Sequence, residues 1–132
     1  MSIQIAIVCG SFHKDEVGRM LAFAKSAAAE NNLEVVEVLW VPGCMEIPLA
    51  IDRVLSREDI SAASCLGIIE KGETQHGLVI GQAIVKTILE LQLEYDKPIG
   101  LGIIGPGAAP EHVEPRLVSH ARGAIDAIAA VL

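Results

Sequence analysis

Four apolar runs, at residues 3–9, 34–40, 62–69 and 99–104, recur along the chain. Each gives way to a short turn and then to a longer stretch whose apolar residues return at helical spacing. The pattern predicts strands over those runs and helices over 15–30, about 46–56, 78 to about 94, and about 111–131. Strands that are nearly continuously apolar and alternate with helices imply a parallel sheet covered on both faces. With right-handed crossovers, the simplest product is an α/β three-layer sandwich, flavodoxin-like, with a four-stranded parallel sheet. One domain over 1–132 accommodates all four repeats.

Each turn after a strand carries glycine or proline, and all four fall at the carboxyl edge of the sheet. Open α/β folds bind ligands at that edge. Phe12, Glu46, His76 and the Gly105-Pro106-Gly107 turn are therefore expected on one rim. The third helix departs from an amphipathic pattern. Between 78 and 85 its only strongly polar side chain is Gln82, whereas covering one face of a sheet needs only a stripe. Self-association explains the excess, as does a helix wedged between neighbours.

Composition narrows the chemistry. The chain has 132 residues, 52% of them apolar, enough for one sizeable core. The apolar stretches break well short of the ~20 residues a membrane span needs. The first residues run straight into a strand without a basic leader, so no signal peptide is expected. A net charge of −7 and only 3% aromatic residues argue against a nucleic-acid partner. Cys9, Cys44 and Cys65 make an odd count without metal-ligand spacing, and read as reduced thiols of a cytoplasmic protein.

The segment Gly72-Glu73-Thr74-Gln75-His76-Gly77 is the densest candidate for chemistry. Its glycines are expected to allow a sharp turn. The amides opening the next helix have no carbonyls behind them and suit a phosphate. His76 is the one side chain there whose unperturbed pKa lies near neutrality, so it reads as a proton carrier or as a plain helix-capping histidine. Thr74 is an anion contact or an N-cap, and the two are compatible. Glu73 is expected to offer only its main chain. Glu46 either complements a helix dipole or accepts hydrogen bonds from a ligand. Phe12, one of four aromatic residues, stacks on a heterocycle or staples the first helix. His112, Arg116 and His120, four apart, are expected to form one row on the last helix. The arginine suits phosphate and the histidines read as a solvated face.

Two of these stretches together resemble a known family. Val41-Pro42-Gly43-Cys44-Met45-Glu46-Ile47-Pro48 and Gly72-Glu73-Thr74-Gln75-His76 look like the signatures of 6,7-dimethyl-8-ribityllumazine synthase. Leu93-Glu94-Tyr95-Asp96-Lys97-Pro98 and Gly105-Pro106-Gly107 are similar to its archaeal branch. The resemblance runs through nearly the whole chain, and the two signatures in combination are highly specific. It implies condensation of 5-amino-6-(D-ribitylamino)uracil with 3,4-dihydroxy-2-butanone 4-phosphate, without a cofactor or metal. By the match, His76 is the proton shuttle, and Glu73, Thr74 and Arg116 hold the butanone phosphate. Phe12 stacks on the pyrimidine. Cys44, Met45, Glu46, Ile68, Ile69, Glu70 and Leu101 fall in segments contacting the ribitylaminouracil. The family implies homo-pentamers with sites between subunits, sometimes closed into a 60-subunit capsid, so Leu101 and Arg116 are expected to complete a neighbour's site.

This chain also differs from the family pattern. Ser11-Phe12-His13 stands where Arg-Phe-Asn is usual, Leu101 where phenylalanine is common, and His120 where a lysine is common. The N-terminal strand that many relatives use between subunits is not expected here. The nearest rival is the related archaeal riboflavin synthase, and Gly-Glu-Thr-x-His favours the lumazine enzyme over it. A non-catalytic flavin-binding or shell-forming protein is the other alternative.

Overall fold

A computed structural model describes residues 2–132. Its sheet contains β1 (Ile3–Gly10), β2 (Leu33–Val41), β3 (Ala62–Glu70) and β4 (Ile99–Ala108), all parallel, in the order β2-β1-β3-β4. Between them run α1 (Lys14–Glu30), α2 (Ile47–Leu55) and α3 (His76–Tyr95), and beyond β4 come α4 (Pro110–Val113) and α5 (Leu117–Val131). The four-stranded flavodoxin-like sandwich expected from the apolar runs is the fold observed.

Residues alternating along each strand feed two cores. Ile5, Ile7 and Leu66 pack with Met20, Ala24, Leu117 and Ile125 of α1 and α5. Ala6, Val8, Ala63 and Ile103 pack with Ile51, Val54, Ile84 and Ile88 of α2 and α3. The central strand β3 is buried from Ala62 through Ile69, since helices cover both of its faces. The chain crosses from β1 outward to β2 and then back to β3. The switch point therefore lies between β1 and β3, where a crevice opens.

Three expectations need correction. α3 starts at His76 rather than near Leu78, so Gly77 lies inside its first turn. Neither Gly72 nor Gly77 has positive φ; the left-handed glycines are Gly105 (φ 101°) and Gly107 (φ 88°). The missing side chain of Gly77 serves proximity instead: a Cβ there would lie 3.0 Å from the Glu70 carbonyl oxygen. The Gly105-Pro106-Gly107 turn, in turn, belongs to the extended run of β4, which continues to Ala108.

The last helix is also not one piece. A 3-10 turn over Glu114–Arg116 separates α4 from α5. Pro115 has no N–H to donate, which removes a rung of the α-helical ladder there, while Glu114 keeps helical dihedrals (φ −54°, ψ −47°). The row of His112, Arg116 and His120 is broken accordingly. His112 is exposed and its Nδ1 accepts the Ala109 amide at 3.0 Å, capping α4. His120 is half-buried, with Nδ1 enclosed and unpartnered, not on a solvated face. Arg19 of α1 grips Glu114 with both guanidinium arms and ties the broken segment to the body.

On α3, Leu78, Val79, Leu89 and Leu93 remain exposed, Val79 at 61% and Leu93 at 81%. Among the described residues nothing covers these side chains, so a helix wedged between neighbours within the chain does not account for its apolar circumference.

Candidate active site

A crevice of about 540 Å³ opens at the carboxyl edge of the sheet. Three loops build it. The β1–α1 loop brings Phe12. The β2–α2 connection brings Pro42 through Glu46, the last three forming a 3-10 turn (Cys44–Glu46) that leads into α2. The end of β3 and the start of α3 bring Ile68, Ile69, Glu70, Thr74 and His76.

Phe12 is 73% exposed, and its ring meets the His13 ring edge-on at 5.0 Å. A staple on α1 would bury it, so the ring is free to stack on a planar ligand. Glu46 is exposed at the crevice wall, where its carboxylate can accept from hydroxyl or ring N–H donors. Ile68 and Ile69, 5% and 8% exposed, give the floor an apolar surface.

Cys44 lines the same wall with its Sγ against Gly67, where a Cβ would come within 2.8 Å of the sulfur. Burial pushes its thiol up to about 11, the nearby Glu46 carboxylate adding to this while a backbone hydrogen bond at Ile68 opposes it. The side chain is therefore a neutral thiol near pH 7, fit for packing rather than nucleophilic attack.

His76 is the first residue of α3, and its amide donates to Thr74 Oγ at 3.3 Å. Thr74 thus accepts the first helical amide, but the N-cap itself is Gln75, one residue later, so Thr74 is not the N-cap expected. The first backbone bond of α3 runs from the Val79 amide to the Gln75 carbonyl at 3.0 Å. The amides of Gly77 and Leu78 precede it and lie beside a second cavity of about 320 Å³. That cavity is bordered by Lys71, Gly72, Glu73, Thr74, Pro106 and Gly107. Thr74, Glu70, Gly72 and Gly77 border both spaces, so the two are neighbours. Helix-start amides, a threonine and a lysine suit a phosphate, and His76 stands on the side of the larger crevice.

Phe12, Cys44, Met45, Glu46, Ile68, Ile69, Glu70, Thr74 and His76 thus share one crevice, and Glu73 borders its neighbour. Leu101 and Arg116 stand apart. Leu101 pairs in register with Cys65, three positions short of the Ile68–Ile104 pair at the rim, and is 41% exposed. Arg116 is exposed and donates from Nη1 to the His112 carbonyl at 2.9 Å. Neither borders either cavity. Sequence reasoning passed over Lys71, although a cation beside Gly72 was signal enough. His13 stood out in the sequence as a departure from the family pattern, but its approach to Glu70, with Nε2 3.7 Å from Oε2, had no sign there, since the two residues lie far apart along the chain.

The family model described as 6,7-dimethyl-8-ribityllumazine synthase matches residues 2–132. A 6,7-dimethyl-8-ribityllumazine synthase of Metallosphaera sedula is 42% identical over 95% of this chain and 83% of its own. One from Staphylothermus marinus is 37% identical over 98% and 86%, and one from Saccharolobus solfataricus 39% over 96% and 82%.

Proposed function

We propose, from the premise that the chain belongs to the 6,7-dimethyl-8-ribityllumazine synthase family, that it catalyses the condensation for which the family is named. The amine of 5-amino-6-(D-ribitylamino)uracil attacks the ketone of 3,4-dihydroxy-2-butanone 4-phosphate. Loss of water leaves an imine, and loss of a C–H proton expels inorganic phosphate. The enol left behind tautomerises, turning the 3-hydroxyl carbon into a ketone. The ribityl-bearing nitrogen attacks that new carbonyl, and a second water leaves as the lumazine ring closes.

One observation carries the reading. An exposed aromatic, a carboxylate and an imidazole line one crevice, and a helix start with Lys71 borders the cavity next to it. Phe12 stacks on the pyrimidine, Glu46 accepts from its polar hydrogens, and Ile68 to Glu70 form the floor beneath it. Thr74, the Glu73 main chain and the opening amides of α3 receive the phosphate. His76 carries protons between the attacking amine, the departing hydroxyl and the C–H carbon. Both reactants are intrinsically reactive, so holding them face to face supplies most of the acceleration. His76 adds roughly 10²–10⁴-fold.

The exposed apolar side of α3 supports a homo-oligomer, a pentamer in the family, in which Leu101 and Arg116 reach a neighbour's crevice. The compartment that suits its three free thiols is the cytoplasm. The test mixes both substrates with protein and follows lumazine absorbance together with phosphate release. Rates at the uncatalysed background refute the reading. Lumazine supplied alone must not be converted to riboflavin; conversion indicates the riboflavin synthase activity instead.

A further inference from the structure

His13 occupies the N-cap position of α1, yet its side chain caps nothing. Its carbonyl accepts the Val17 amide at 2.9 Å, so the helix start is closed by main chain alone. The imidazole turns away from the helix, toward the end of β3. There Nε2, enclosed and without a hydrogen-bond partner, lies 3.7 Å from Glu70 Oε2. A closing of roughly 0.8 Å makes that approach a hydrogen bond. On its other side the His13 ring meets Phe12 at 5.0 Å with an interplanar angle of 81°. The Phe12 ring is otherwise largely in solvent. Glu70 itself borders both cavities, and its carbonyl supports α3 at Gly77.

We propose that His13 and Glu70 form a positioning pair that sets the Phe12 ring over the crevice, tuning affinity for the planar heterocyclic substrate. The linkage runs from a carboxylate anchored at the end of β3, through an imidazole, to an aromatic edge. An edge-to-face contact holds a ring's tilt, and that tilt decides how much of its face a heterocycle can cover. His13 borders neither cavity whereas Glu70 borders both, so it is the His13 variants that isolate an influence on one substrate of the two. This inference rests on the enzymatic reading above.

The experiment compares wild type with His13→Asn, His13→Ala, Glu70→Gln, Phe12→Leu, and the doubles His13→Ala/Glu70→Gln and His13→Ala/Phe12→Leu, each confirmed folded by circular dichroism. Asparagine is a favoured N-cap, so His13→Asn keeps the helix start sound. KM for each substrate, kcat, and the Kd of the lumazine product by fluorescence titration are measured. In His13→Asn, His13→Ala and Glu70→Gln, KM for the ribitylaminouracil and the lumazine Kd are expected to rise roughly three- to tenfold. In the two His13 variants KM for the butanone phosphate and kcat stay within about twofold. His13→Ala/Glu70→Gln is no worse than either single, and His13→Ala adds nothing to Phe12→Leu, because the residues act as one unit. Unchanged affinity for uracil and lumazine in folded His13→Ala overturns the pair, as does an equal rise in KM for both substrates. A wild-type protein that neither forms nor binds the lumazine refutes the enzymatic reading, and the pair with it.

Discussion

Gly105 packs its α-carbon against Ile69 so closely that a Cβ would lie 2.1 Å from the Ile69 carbonyl oxygen. Ile69 forms part of the crevice floor, so this approach locks the tip of β4 against the base of the site. Gly105 also sits at φ 101°, where a side chain is strained whatever the space. Gly107, at φ 88°, has nothing within 4 Å of its would-be Cβ.

The two glycines separate strain from overlap. Gly107→Ala is expected to cost about 1–2 kcal/mol, the conformational penalty alone. Gly105→Ala adds overlap with backbone and costs more, about 3 kcal/mol or above. Urea denaturation of both variants checks the order; equal costs refute the overlap argument.

His76→Ala is expected to lower kcat by no more than about 10²–10⁴-fold, with both KM values nearly kept. Steady-state kinetics with both substrates measure this. Complete loss of activity in a folded variant shows that the imidazole does more than carry protons.

Coexpression tests whether Arg116 serves a neighbour. His76→Ala and Arg116→Ala chains, each impaired alone, are expected to recover activity when mixed in one oligomer. At equal amounts roughly a quarter of the shared sites hold both native residues, half of the histidine donors times half of the arginine donors. No recovery in a confirmed hetero-oligomer places Arg116 at its own crevice or outside the chemistry.

Alkaline stability follows from the thiols. Burial pushes Cys9 and Cys65 up to about 12 and Cys44 up to about 11, from an ordinary value of 9.0. Above pH 9 the unfolded chain has lost thiol protons that the folded chain keeps. The folded state is therefore favoured fully below that pH and loses ground up to pH 11–12. Each thiol contributes a slope of about 1.4 kcal/mol per pH unit in that window. Urea midpoints at pH 7, 9 and 10.5 are expected to fall slightly by pH 9, where half of the unfolded-state thiols are ionised, and most steeply in the last step; Cys9→Ala/Cys65→Ala flattens the fall.

The fold was legible because each strand announces itself as an apolar run and each crossover as a helical period. β3 (Ala62–Glu70), apolar except for Ser64 and the terminal Glu70, was found nearly to its ends. Where three-dimensional approach decides, the sequence was silent. Gly77 reads as a turn former from its neighbours in the chain, but it is spaced by the Glu70 carbonyl, which belongs to another element. Pro115 was visible, yet the break it causes was not drawn from it. The crevice wall was legible through two signature stretches. The meeting of His13 with Glu70 was not, since only the parallel pairing of β1 with β3 brings them together.

Because the bare α-carbon of Gly77 rests on the end of β3, the neighbouring imidazole takes its location from main chain rather than from a cushion of side chains. The exposed His76 side chain keeps its own rotamer freedom, but the backbone that carries it is seated against the strand. A bulkier residue at position 77 would therefore shift the imidazole by moving main chain, not by crowding the ring.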